Sequence, residues 1–262
     1  MPRGHDRRPS FDKNRTLYSH NVKGAALRAN SIPRNRVILT GMNFRVGGKT
    51  ICPICEKRRG ERYCPAKGEK ICAIDCGTER EVSIDCPGDC TYLLAARRWE
   101  QEHPKPLDES EVPFPDISFP AVLIRTRQEV MSGIGYTVAL FARDQRSLTD
   151  LEVLDAAHAL AEAYRTLVSG IYYEKPPDNP VAAGLYAALA KFIEEGKKRE
   201  AEHPEVAPLK DSEIFHLLVF FERFGRLRSN GRPRTRAFIE FLRSQFPPEA
   251  GLAKEEPRIT LA

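Results

Sequence analysis

The chain has 262 residues, a formal net charge of +5, 41% hydrophobic residues and 29% charged residues. This composition is typical of a soluble globular protein and excludes a peptide-scale scaffold with no core of its own. The apolar runs are short, residues 217–221 being among the longest, whereas a membrane span needs about 20 apolar residues. We therefore predict a protein without a membrane partner.

Basic residues concentrate at the start of the chain. Residues 1–50 hold 11 Lys/Arg against two Asp, while the other 212 residues hold 30 Lys/Arg against 34 Asp/Glu. Because Lys and Arg release counterions from phosphates, such an extended basic arm predicts contact with RNA or a ribonucleoprotein. The alternative is a solubilising tail. The side chains predicted to contact nucleic acid are Arg7, Arg8, Lys13, Arg15, Arg34, Arg36, Arg45 and Lys49.

Residues 1–30 contain no continuous apolar segment of the kind that a secretory signal needs, so we predict a cytoplasmic protein. In that reducing compartment disulfides are disfavoured, and clustered thiols indicate metal binding instead.

All seven cysteines lie in the next segment, residues 51–104, which we predict to be a metal-binding module with a short C-terminal helix. The sequence Cys52-Pro53-Ile54-Cys55 is typical of a metal knuckle, in which a tight turn directs two thiolates at one ion. Pro87 predicts a helix start that would place Cys86 and Cys90 on one helix face. The predicted ligands are Cys52, Cys55, Cys64, Cys72, Cys76, Cys86 and Cys90.

Three interpretations of the cysteine module stay open. Zn²⁺ is the first choice, because a closed site of four ligands supplies folding energy to a segment with little core. An iron–sulfur cluster is the main alternative, since cysteine ligation suits it equally well. Thiols without a metal are the third. Seven thiols could form one site or two, and His103 is a further candidate ligand.

The rest of the chain predicts a mainly α fold. Residues 105–119 form a Pro-rich acidic linker, residues 120–246 an α-helical bundle, and residues 247–262 a flexible tail. Residues 121–142 predict a helix that Gly133 or Gly135 could break. Thr149 with Glu152 forms a capping box before a second helix, and Asn179-Pro180 marks the start of a third.

An arginine-rich bend is predicted between the last two helices, around the turn at Asn230 and Gly231. Guanidinium groups bind phosphate oxygens in a bidentate manner, so the bend is a second candidate nucleic-acid contact. The alternative is intramolecular pairing with Glu194, Glu195, Glu200 or Glu240. The predicted contacts here are Arg226, Arg228, Arg232, Arg234 and Arg236.

The sequence offers little for catalysis, because none of the six histidines is paired recognisably with Ser or Cys. His158 and His216 are predicted to be structural residues of amphipathic helices. We predict a non-catalytic, zinc-stabilised adaptor that binds RNA or a ribonucleoprotein surface, with a protein partner for its helical domain. The alternatives are an iron–sulfur redox or sensing protein and a structural subunit of a protein complex.

Overall fold

The computed structural model describes residues 50–202, 205, 207–247 and 252. These residues contain eight α-helices, one 3-10 helix and one two-stranded sheet, with the cysteines preceding the helical region. The predicted fold class, mainly α with a cysteine-rich module before a helical bundle, is confirmed. The predicted basic arm lies outside the described residues except for Thr50, and so does nearly all of the predicted tail.

The cysteine module combines a small hairpin with two helices. Strands β1 (Arg62–Cys64) and β2 (Glu69–Ile71) pair antiparallel, and the turn between them uses Gly68 at a φ of 70°. Helices α1 (Ala73–Thr78) and α2 (Thr91–Glu102) follow. The buried apolar cluster of this module is small, and three of its five residues are cysteines. The cluster consists of Cys52, Cys64, Ile71, Cys72 and Ile84.

The predicted placement of Cys86 and Cys90 on one helix face is wrong. Helix α2 begins at Thr91 with Cys90 as its N-cap, and Cys86 lies before the helix. The Cys90 amide donates a hydrogen bond of 3.0 Å to the Pro87 carbonyl oxygen. Pro87 therefore belongs to a turn and does not occupy the first helical position.

Six helices follow: α3 (Ala121–Thr126), α4 (Gln128–Asp144), α5 (Asp150–Val168), α6 (Pro180–Ala201), α7 (Asp211–Arg228) and α8 (Ala237–Ser244). The break in the first predicted helix falls at Arg127 and not at the glycines. The Arg127 guanidinium contacts Glu213 at 2.8 Å and Glu200 at 3.4 Å. Gly133 lies within α4, where a Cβ atom would meet the Phe192 ring at 2.0 Å.

Local capping signals place two helix starts as predicted. The capping box of Thr149 and Glu152 opens α5, and the Asn179 side chain accepts from the first amides of α6. The carboxylate of buried Asp150 accepts hydrogen bonds from the amides of Phe238 (3.0 Å) and Ile239 (3.1 Å). This contact satisfies free amides at the start of α8 and fixes α8 against α5.

One apolar core joins α4 to α8, and residues of the proline-rich segment pack on it. Phe114, Ile117 and Phe119 contact this core, and the Arg223 guanidinium donates to the carbonyl oxygens of Pro113 and Phe114. The division of the chain into domains stays a prediction. Within the described ranges, no helix combines the length and the apolar character needed to cross a membrane.

Candidate metal centre

Four potential ligand atoms converge at one end of the cysteine module. The Sγ atoms of Cys52, Cys55 and Cys72 and a carboxylate oxygen of Asp75 all lie within 4.8 Å of one another. Cys52, Cys72 and Asp75 are buried and Cys55 is partly buried. Three sulfurs and one carboxylate oxygen are a ligand set that could hold a metal ion.

The first pair of ligands comes from a tight turn. The Cys52 carbonyl accepts from the Glu56 amide (2.9 Å), and the Cys52 amide donates to the Arg58 carbonyl (2.8 Å). Glu56 has a φ of 54°, which reverses the chain. Gly60 then passes close to the hairpin, where a Cβ atom would lie 2.3 Å from the Lys70 carbonyl oxygen. The turn is thereby held against β2, beside the second pair of ligands.

The second pair comes from the start of α1. Cys72 is the N-cap of this helix, and its Sγ accepts a hydrogen bond from the Asp75 amide at 3.3 Å. Asp75 lies three residues later, in the first turn, so both side chains face the same side. The capping interaction therefore also brings the Cys72 thiol to the Asp75 carboxylate.

Hydrogen bonds converge on the Asp75 carboxylate in this site. Arg58 donates to Cys72 Sγ (3.4 Å) and to Asp75 Oδ1 (3.1 Å), and Cys52 Sγ donates to Asp75 Oδ2 (3.0 Å). Hydrogen bonds from Cys55, Cys52 and Cys72 hold the pKa of Asp75 well below its usual range. The carboxyl group is therefore ionised at neutral pH.

The thiols differ in how readily they ionise. Burial raises the pKa of Cys72, but the Asp75 amide and the Arg58 guanidinium outweigh burial, so this pKa is lowered overall. The hydrogen bond to Asp75 instead raises the pKa of Cys55. Three thiolates and a carboxylate would carry four negative charges beside one arginine, and a bound cation would compensate them.

The other four predicted ligands are not brought together in the same way. Cys64 belongs to the small apolar cluster of the module, Cys76 and Cys86 pack against it, and Cys90 occupies the N-cap position of α2 without a side-chain capping hydrogen bond. Burial raises the pKa of Cys86, and the nearby Cys90 and Cys64 thiols add to this rise. Among the residues that the structure describes, no second group of three or more potential ligands converges in this way. Their role as ligands stays a prediction.

The ligand group differs from the sequence prediction at two residues, His103 and Asp75. His103 does not join the four-ligand group; its ring is exposed and stacks on Trp99 at 4.5 Å. Asp75 was not predicted as a ligand. A signal was present, because Cys72 and Asp75 have the same separation as Cys52 and Cys55.

The arginines of the predicted bend mostly make contacts within the protein. Arg226 pairs with buried Glu222 at 2.8 Å, and the Arg228 guanidinium lies 4.2 Å from the Phe241 ring centroid. Neither contact involves the glutamates that the sequence suggested as partners. Arg226 and Arg228 therefore pack and pair on the helical domain itself, and their nucleic-acid role stays a prediction.

Other arginines of the bend hold the cysteine module to the helical domain. Arg232 donates to the carbonyl oxygens of Gly77 (3.0 Å) and Arg80 (2.5 Å). Arg234 makes its contact through the backbone, because its amide donates to the Glu81 carbonyl oxygen at 2.9 Å. Arg234 itself is exposed. The eight basic residues predicted in the arm lie outside the described residues.

Comparison of the chain with models of protein families, with curated proteins and with solved structures found no match. The functional interpretation therefore depends on the chemistry of the residues themselves.

Proposed function

We propose that Cys52, Cys55, Cys72 and Asp75 hold a zinc ion that stabilises a non-catalytic, RNA-binding adaptor. The single observation that carries this proposal is the mutual approach of the four ligand atoms within 4.8 Å. Zn–S bonds of about 2.3 Å separate tetrahedral ligands by about 3.8 Å. Small inward movements of these side chains would therefore complete a closed tetrahedral site.

A structural role fits the surroundings of the site. The hairpin of the module has three residues in each strand, and among the described residues its buried cluster contains two that are not cysteine, Ile71 and Ile84. Such a small core supplies little folding energy, whereas a closed zinc site supplies a large share of it. Thiolate ligands also need a reducing environment, which is why we place the protein in the cytoplasm.

The RNA part of the proposal depends on charge. The net charge of residues 1–50 is strongly positive, whereas the rest of the chain is mildly acidic. A basic segment attached to a folded body can follow a phosphate backbone without reading its sequence. The helical domain would then be available to a protein partner, and Ile171, Tyr172 and Tyr173 form an exposed apolar stretch suited to that role.

Elemental analysis of the full chain, purified without chelator, tests the metal part. We expect at least one Zn²⁺ per chain, and we expect the Cys72→Ser and Asp75→Asn variants to lose about one equivalent. Asp89→Asn is the matched control, because Asp89 is an exposed carboxylate of the same module outside the four-ligand group. Equal zinc content in Asp75→Asn and Asp89→Asn would contradict the ligand assignment.

Salt-dependent binding tests the RNA part. We expect the full chain to bind single-stranded RNA with an affinity that falls steeply as salt is added. Deleting residues 1–36 should abolish most of this binding. Binding that is absent, or that does not change with salt, would refute this part and leave the metal site untouched.

An iron–sulfur protein is the second candidate function. The observation that favours it is that Cys64 belongs to one apolar cluster of the module and that Cys76 and Cys86 pack against it. Iron–sulfur clusters are held by cysteine thiolates, so several further cysteines in one small module suit such a cluster. Iron, acid-labile sulfide and visible absorption in the same purified sample would establish it. A colourless protein that contains only zinc would exclude it.

A further inference from the structure

A cavity rich in arginine lies between the cysteine module and the helical domain. Its volume is about 440 Å³, and residues 85–88 of the module form one wall, with α2, the end of α4 and α8 forming the others. Among the described residues, two carboxylates, Asp85 and Glu240, line it. Six arginines line it as well: Arg97, Arg143, Arg146, Arg234, Arg236 and Arg243.

Part of this positive charge is compensated inside the protein. Arg97 pairs with Glu81 at 2.8 Å, Arg143 with Asp144 at 2.8 Å, and Arg243 with Glu240 at 3.5 Å. Arg146 and Arg234 are different, because both are exposed and neither side chain has an ion-pair or hydrogen-bond partner among the described residues.

Two arginines that line the cavity also carry a buried donor without a partner. The Nε atoms of Arg97 and Arg236 are shielded from solvent and have no hydrogen-bond partner among the described residues. Arg236 uses Nη1 to donate to the Arg146 carbonyl at 2.6 Å, which fixes its guanidinium plane. Buried donors of this kind normally have a hydrogen-bond partner.

We propose that this cavity, the arginine cavity, binds a phosphate group of an RNA backbone, an inference that deepens the proposed function and rests on it. A phosphate offers several acceptor oxygens in the geometry that guanidinium groups bind in pairs. Arg146 and Arg234 supply uncompensated charge at the surface, and Arg97 and Arg236 add two further guanidinium groups to the lining. The volume also lies within the range of pockets that bind small ligands.

The first test compares two double variants of the full chain. Arg146→Gln/Arg234→Gln removes two charges from the cavity. Arg98→Gln/Arg125→Gln is the matched control, because these two arginines are exposed and do not line the cavity. Binding of a fluorescent single-stranded RNA is measured by anisotropy at several salt concentrations.

We expect the cavity variant to bind more weakly and to show a smaller salt dependence. Each phosphate contact on single-stranded nucleic acid contributes about 0.7 to the slope of log K against log salt, so loss of the one phosphate contact made by the cavity should reduce its magnitude by about 0.7. The control should keep the wild-type slope. If the cavity variant also keeps the wild-type slope, the arginine cavity does not contact RNA. The proposal that the chain binds RNA would be unaffected by that result.

Inorganic pyrophosphate provides a second, independent measurement. We expect pyrophosphate to raise the melting temperature of the wild-type chain and of the control, and to have no such effect on the cavity variant. If pyrophosphate acts in this way while the wild-type chain binds no RNA, the phosphate site stands and its RNA source is refuted. If pyrophosphate stabilises all three proteins equally or none of them, the cavity is not a phosphate site.

Discussion

Replacing Glu81 by alanine should destabilise the junction between the cysteine module and the helical domain. Glu81 is buried, with only 2% of its surface exposed. Its Oε1 accepts from Arg97 Nη2 at 2.8 Å, and its Oε2 accepts from Asn230 Nδ2 at 3.0 Å. The carboxylate therefore joins α2 to the segment between α7 and α8.

The magnitude follows from what the substitution leaves behind. Removing one partner of a buried ion pair costs about 3–5 kcal/mol, because the other charge stays buried without compensation. The Arg97 side chain keeps 12% exposure, which favours the lower end of this range. A loss of about 3 kcal/mol corresponds to a fall in melting temperature of roughly 6–12 °C for a domain of about 200 residues.

Thermal unfolding of the full chain measures this effect, and Glu102→Ala is the matched control. Glu102 lies on α2 like Arg97 but is exposed. Surface substitutions of this kind usually change stability by about 0.5 kcal/mol or less. If Glu81→Ala lowers the melting temperature no more than Glu102→Ala does, the buried ion pair does not hold the junction and the reasoning is wrong.

Two further predictions concern the helical domain. In urea denaturation, Gly225→Ala should lower the free energy of unfolding by about 1–2 kcal/mol. The new Cβ would lie 2.7 Å from the Phe238 ring, and this overpacking outweighs the gain in helix propensity. The Cβ of Gly196→Ala would meet nothing within 4 Å, so this variant should raise the free energy of unfolding by about 1 kcal/mol. The hydrogen bond to Glu222 raises the pKa of His158, so stability should fall as pH rises from about 6.5 through the folded-state value, and His158→Gln should flatten this dependence.

Each of these predictions has a clear contrary result. A Gly225→Ala protein as stable as Gly196→Ala would mean that the core around α7 adjusts without cost. An unchanged pH dependence in His158→Gln would mean that other groups produce it.

Two helix starts were predictable from the sequence because their signals are local, whereas the start predicted at Pro87 was wrong. The capping residues Thr149 and Asn179 act within three residues of themselves, and both helices begin where expected. The break at Arg127 was not predictable in this way. It coincides with ion pairs to residues more than 70 positions later, and Gly133 serves close packing with Phe192 instead of ending a helix.

The candidate metal centre was predictable only in part. The knuckle of Cys52 and Cys55 has a strong local pattern, but the choice of Cys72 over the other cysteines depends on how the hairpin folds back onto that turn. Asp75 could have been found from its spacing to Cys72. The contacts of Arg232 with carbonyl groups about 150 residues earlier in the chain could not, because they form only after the module has docked.

X-ray absorption spectroscopy of the zinc-loaded full chain tests the central claim most directly, because it counts the ligand atoms around the ion. The four-ligand group predicts three sulfur atoms at about 2.3 Å and one oxygen at about 2.0–2.2 Å, with the oxygen contribution altered in Asp75→Asn. A shell of four sulfur atoms that is unchanged in Asp75→Asn, or a shell without sulfur, would contradict the assignment of Cys52, Cys55, Cys72 and Asp75 as the zinc site.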